Sequence, residues 1–249
     1  MLVKAGGVLT TRDFIPLAFP SHGVAVRRLR KLHDAGYVCC FVEQLHYDNR
    51  WVLDTKAWQE LPTGGEIVPQ RRRAPDSLAP LRPHRATLLR FWSLFVAHCH
   101  ATEGLTLKRF SFEWELPDEL FTTGGAYRPD ALAIVDDNGR RRTLLIEVDT
   151  GTESPSYVAK HKIAHVETLV ATGERVLGLG VDTLIFLIPS DRRHRSLARA
   201  TKSRATPSTR TLVFTQEANT LDLTKLARLE EMLATNKHPG VDAALPHVG

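Results

Sequence analysis

RPDALAI (residues 128–134) and LLIEVDTGTES (residues 144–154) are two apolar runs on either side of DDNGRRR (residues 136–142). Asp130 follows a proline at the head of the first run, and Glu147 and Asp149 close the second. A Gly-containing turn between two alternating segments predicts a pair of adjacent antiparallel strands. Asp130, Glu147 and Asp149 then converge at one end of a small sheet. Carboxylates gathered on a rigid sheet suit a hard divalent ion such as Mg²⁺, which prefers oxygen ligands and keeps several waters. Such an ion activates water and stabilises the charge on a phosphate under attack. The pattern points to phosphodiester chemistry, or to a descendant of it.

These segments resemble the PD-(D/E)xK nuclease superfamily, whose core carries an Asp on one strand and Glu-x-Lys on the next. Pro129-Asp130 matches the first element and Glu147 the second, while Asp149 stands where that superfamily has lysine. A lysine follows on the next predicted helix, at Lys160 or Lys162. More narrowly, RPDALAI, IEVDTGTES and KHKIAHVETL together resemble the replication-relaxation family of bacterial plasmid and mobile-element proteins. There an Asp-bearing strand precedes E-x-D-x-G-T-E and a helical lysine follows; Lys162, fifteen residues beyond Glu147, fits that spacing. The resemblance covers roughly residues 1–190.

In the enzymatic reading, Asp130, Glu147, Asp149 and Lys162 are the catalytic set of a Mg²⁺- or Mn²⁺-dependent DNA endonuclease. Asp130 and Glu147 bind the ion, Asp149 helps as ligand or orients water, and Lys162 stands in for the usual lysine. Asp149 adds a negative charge where the superfamily places a positive one, so catalysis weakens unless Lys162 or a second metal compensates. One rival is a nuclease-like domain that only binds DNA or a replication partner. Another is a transcriptional regulator in which the N-terminal part reads an operator.

Each acidic residue also has a plainer reading. Asp130 sits where Asp caps turns, and Asp149 can cap the Thr-Gly-Thr turn that follows it. Glu115 is a weaker fourth candidate, and Glu153 reads as a turn residue. His161 and His165 suit either proton transfer or a helix surface. No Ser, Cys or Thr has a recognisable nucleophile setting, and there is no phosphate-cradling Gly loop of the Walker type.

The N-terminal third carries the basic bias. Of a net charge of +5, residues 1–83 hold 12 Lys/Arg against 8 Asp/Glu, and residues 84–249 hold 21 against 20. LTTRDFIPLAF (residues 9–19) offers a Thr-Thr cap and helical apolar spacing. In SHGVAVRRLRKLHDAGYV the spacing predicts a buried stripe of Val24, Val26, Leu29, Leu32 and Tyr37, with Arg27, Arg28, Arg30 and Lys31 turned away. Gly36 reads as the helix stop. VCCFVEQ and RWVLDTKAW, either side of HYDN, predict a hairpin. Helix, basic helix, hairpin is the order of a winged helix–turn–helix, which lays one helix in the major groove of double-stranded DNA. The same basic run is equally what a solvated helix face looks like.

Residues 62–83 contain five prolines and two glycines and read as a linker. Its Arg71–Arg73 triplet reads first as a solubilising run and second as a backbone contact. From residue 84 the chain predicts a helix to Ala101, the strand LTLKRFSFEWEL, the two signature strands, a helix capped by Ser154-Pro155, and the buried strand VDTLIFLIPS. RRHRSLARATKSR packs six Lys/Arg into residues 192–204, a phosphate-facing or solvated helix. TRTLVFTQ adds a further strand, and LTKLARLEEMLAT a last helix.

The expected fold is therefore α/β, a winged helix–turn–helix over residues 1–61 and a linker over 62–83. A restriction-endonuclease-like αβββαβ core then spans 84–235, and a loose tail 236–249. No run of eighteen apolar residues exists, so no membrane span is expected. The N-terminus has no secretory pattern, and three cysteines without metal-ligand spacing suit a reducing cytoplasm. Expected partners are double-stranded DNA and replication proteins, with a homodimer compatible with the sequence.

Overall fold

The computed structural model describes residues 1–2, 4–5, 7–42, 48–61, 83–116, 128–172, 175–176, 179–181, 183–188, 190–202 and 211–215. The chain is mixed α/β, with two main sheets. The Arg71–Arg73 triplet, the last helix and the C-terminal tail of the sequence reading lie outside the described residues.

The first sheet is β1 (Val8–Thr10), β3 (Arg50–Leu53) and β2 (Val38–Phe41), antiparallel in the order β1–β3–β2. Two helices, α1 (Thr11–Ala18) and α2 (His22–Asp34), separate β1 from β2, and a short α3 (Thr55–Glu60) follows β3. Thr10 starts α1 as the sequence predicts. Its hydroxyl accepts from the Asp13 amide and Asp13 reaches back to the Thr10 amide, a reciprocal cap. β1 had no signal of its own; it is too short for alternation to register.

On α2 the buried face differs from the expected stripe. Ala25 and Leu29 are buried, Val24 and Val26 are half-buried, and Leu32 stays 41% exposed. Residues turn by about 100° each along a helix, so Val24 and Val26 flank the Ala25–Leu29 line instead of lying on it. Arg27, Arg28, Arg30 and Lys31 are all exposed, as expected.

α4 (Pro83–Ala101) is buried nearly all round, from Leu88 and Leu89 through Phe91, Trp92, Leu94 and Phe95 to Cys99. It lies between α1 and the second sheet. Arg85 and Arg90 donate from α4 to the carbonyls of Ala5 and Arg12. A single hydrophobic cluster runs from Leu9, Phe14 and Trp51 through α4 to Ile146 and Leu187.

The second sheet has the order β10–β9–β6–β5–β4. β4 (Leu105–Phe112), β5 (Ala131–Asp137) and β6 (Arg140–Val148) form an antiparallel meander. β9 (Thr183–Ile188) runs parallel to β6, and β10 (Thr211–Thr215) parallel to β9. A two-stranded hairpin, β7 (Arg175–Val176) and β8 (Leu179–Gly180), precedes β9. Between β6 and β7 runs one continuous helical stretch. It comprises α5 (Pro155–Tyr157), a π-helical segment Val158–Ile163, and α6 (Ala164–Thr172). The last described helix is α7 (Asp191–Lys202).

Side chains alternate across a strand, so the sheet has two apolar faces. Ala131, Ala133, Leu144 and Ile146 face α4. Leu132, Ile134, Leu145 and Phe186 face Val158, Ile163, Val166 and Leu197 of the helical layer on the other side.

The β5–β6 turn is the Asn138-Gly139 pair, both at positive φ (51° and 84°), the two-residue geometry that matches strand twist. Asn138 donates its amide to the Gly104 carbonyl, and Gly104 is itself at φ +79°, where an added Cβ would run into the Asn138 side chain. Gly104→Ala therefore combines an unfavourable backbone region with a clash. The expected loss is about 1–3 kcal/mol, read as a lower melting temperature with the folded far-UV spectrum retained.

Candidate functional site

The antiparallel ladder of β5 and β6 ends at Ala131–Ile146. One step further, Asp130 and Glu147 leave the two strands side by side. Amides alternate in direction along β6. Asp149 donates to the Leu187 carbonyl on the β9 side, so Val148 points its N–H toward β5 where the ladder has already stopped. The Asp130 carboxylate takes that amide at 2.7 Å. The same oxygen lies 3.0 Å from His84 Nε2, at the start of α4. The hydrogen bond to Asp130 is the main reason the His84 pKa is raised; burial opposes it, and the charges of Asp130 and Glu147 add to the rise.

Glu147 lies on the face of β6 that carries Leu145, and is 2% exposed. Lys162 reaches it from the π-helical segment with Nζ 2.9 Å from Oε2, and meets Glu153 at 3.1 Å. Burial by itself would lower the pKa of this ammonium. The charge of Glu147, the hydrogen bonds to Glu147 and Glu153 and the charge of Glu153 outweigh it, and the pKa is raised above the ordinary lysine value. Lys162 is thus a fixed cation, not a base. A π-helical turn inside an α-helix is rare and recurs at functional sites; here it carries the lysine.

Asp149 is held differently. Arg193, in the first turn of α7, grips it with two bonds, Nε to Oδ2 at 2.8 Å and Nη2 to Oδ1 at 3.0 Å. The Gly151 amide donates to Oδ1 as well, so the turn-capping reading of Asp149 is borne out alongside the ion pair. Arg193 Nη2 also donates to the Glu153 carbonyl, tying the whole 149–153 turn to α7.

Of the residues expected from the sequence, Glu147 and Lys162 are in direct contact, and Asp130 stands at the end of the neighbouring strand, bonded to the Val148 amide. Asp149 shares the face of Glu147 but is engaged by Arg193. Lys160 is exposed, His161 packs its ring on Tyr157 at 4.4 Å, and Glu115 is committed to Lys4 and to the Phe112 amide. Glu153, read as a turn residue, also supplies a carboxylate to Lys162. His84 and Arg193 were not foreseen. Arg193 had a signal, since parallel strands place their C-terminal ends together and the helix after β9 must begin beside the end of β6. His84 had none, because its approach depends on where α4 packs.

Asp130, Glu147, Asp149 and Glu153 outnumber the permanent cations, Lys162 and Arg193, by two. A divalent ion held here would have Asp130 and Glu147 as its protein ligands, with water completing its shell. Among the described residues no three His, Cys, Asp or Glu side chains are grouped as a metal cage.

The pairing with Arg193 also decides what a lysine at 149 would do. Asp149→Lys would set two cations together at a position where Asp149 is 6% exposed. Breaking a buried pair and leaving one charge uncompensated costs about 3–5 kcal/mol. The variant is expected to melt well below wild type and to show no gain in divalent-ion-dependent cutting; a stable, more active protein would contradict this placement.

No helix among the described residues is long and apolar enough to cross a membrane. No curated protein and no solved structure matches the chain. The replication-relaxation family matches residues 1–185, a stretch that includes Asp130, Glu147 and Lys162, and the chain belongs to this family.

Proposed function

We propose that the protein binds double-stranded DNA and carries a nuclease-like site that cleaves or nicks phosphodiester bonds with Mg²⁺ or Mn²⁺. Family membership supports a role in replication or relaxation of plasmid or mobile-element DNA. The observation that carries the catalytic part is Lys162 Nζ 2.9 Å from the buried Glu147 carboxylate, one position beyond the last β5–β6 pair, where Asp130 precedes β5. Helix, three-stranded meander, helix, parallel strand is also the order of a restriction-endonuclease-like core.

In this reading Asp130 and Glu147 would hold the ion, and Asp149, held by Arg193, would assist as a further carboxylate or orient water. When bound, the ion supplies an activated water and charge neutralisation at the phosphate. Lys162, permanently charged, orients the attacking water and balances the negative charge that builds on the phosphate oxygens. His84, hydrogen-bonded to Asp130 through Nε2 at 3.0 Å, fixes that carboxylate. The N-terminal sheet and helices are read as a winged helix. The exposed side chains Arg27, Arg28, Arg30 and Lys31 meet DNA phosphates, and replication proteins are further candidate partners.

The test is incubation of supercoiled plasmid with purified protein, with and without Mn²⁺ and with a chelator. Ion-dependent nicking that the chelator abolishes supports the reading. The second reading, a DNA-binding accessory protein without cleavage, is favoured by Arg193 holding Asp149 where the superfamily has lysine. It predicts binding with no cutting under any divalent ion.

A further inference from the structure

α7 separates its arginines into two groups. Arg193, Leu197 and Ala200 turn inward: Arg193 to Asp149, Leu197 fully buried, Ala200 against the apolar cluster beneath the sheet. Arg192, Arg195 and Arg199 are all exposed. With about 100° per residue, these three fall within roughly 60° of one another and point away from the inward face. None of them makes an ion pair among the described residues, and the helix lies beyond residue 185, where the family match ends.

We propose that this strip of Arg192, Arg195 and Arg199 is a second nucleic-acid contact, binding the phosphate backbone beside the Asp130–Glu147 site. The proposal rests on the DNA-binding reading above and adds to it a surface separate from α2. Three features select the partner. The arginines are in line on a rigid helix, and guanidinium groups match phosphate oxygens geometrically as well as by charge. The apolar face of α7 is already used on the sheet, so nothing remains for insertion into a lipid surface, which needs an exposed apolar face. Arg193 bolts the helix to the 149–153 turn, so the strip sits on the same rigid unit as the carboxylates. A backbone drawn to it lies next to a cluster that would otherwise repel phosphate.

The test measures affinity for a fluorescein-labelled mixed-sequence duplex at a series of NaCl concentrations. The proteins are full-length wild type, R192A/R195A/R199A and R192K/R195K/R199K, with Arg193 intact. Each phosphate contact contributes about 0.9 to the slope of log affinity against log salt. The alanine variant is expected to have a slope shallower by about 2–3, and the lysine variant to keep most of the wild-type slope. Equal melting temperatures of the three proteins show that the fold is unchanged. A wild-type slope in the alanine variant, the result for a strip that serves an acidic protein surface, overturns the proposal and leaves the α2 reading standing. A lysine variant as weak as the alanine one also overturns it, because backbone attraction requires charge before shape. If wild type binds no duplex, the DNA-binding reading itself falls.

Discussion

Glu147→Gln is expected to abolish Mn²⁺-dependent nicking of supercoiled plasmid while duplex binding persists. The carboxylate is 2% exposed and is joined to Lys162. A principal ligand contributes to both the activated water and the neutralised phosphate. Losing several kcal/mol of transition-state stabilisation lowers the rate by about a thousandfold or more, at 1.36 kcal/mol per factor of ten. Glutamine keeps the shape of the side chain, so the loss reports charge and ligation. It also removes the main partner that holds the Lys162 ammonium above its ordinary pKa, leaving Glu153 alone to do so. Binding is expected to survive because the exposed arginines of α2 are untouched. Cutting that survives the substitution at wild-type rate would remove Glu147 from the mechanism. A wild type that binds DNA but stays inert with every divalent ion would establish the binding-only reading.

A large effect on stability is also expected at α4. Phe95→Ala is expected to cost about 3–5 kcal/mol, the usual loss for a buried phenylalanine whose cavity cannot collapse. Phe95 is 1% exposed, stacks on Phe91 at 5.3 Å and packs on Phe110 at 6.4 Å. Its helix also supports α1, and the apolar cluster passes from Trp51 through α4 to Ile146 without a break. The variant should therefore lose both halves together. Tryptophan fluorescence, reporting on buried Trp51 and Trp92, and far-UV circular dichroism should give coincident denaturant transitions shifted equally to lower concentration. An N-terminal transition left at its wild-type midpoint would show that the two halves unfold separately.

Much of the architecture was legible locally. Asn138-Gly139 between alternating runs dictates a hairpin, because only a few residues adopt positive φ cheaply at both positions. That hairpin sets Asp130 against Glu147. Thr10 with Asp13, and Ser154 with Pro155, mark helix starts by backbone hydrogen bonding that needs no distant partner. The apolar run in β9 demanded burial on both faces and received it. Other features exist only because elements far apart in sequence pack together. Whether Leu32 is buried depends on where the neighbours of α2 end, and no periodicity encodes that. The π-helical turn under Lys162 is one extra residue of winding that a helical pattern tolerates without announcing. His84 meets Asp130 from 46 positions away in sequence, and Arg193 meets Asp149 because β6 and β9 run parallel and finish side by side. The residue types for a charged site were written in the chain. Which cation neutralises which carboxylate was decided by the tertiary structure, since Coulomb energy depends on distance in space and on burial, and neither is a property of local sequence.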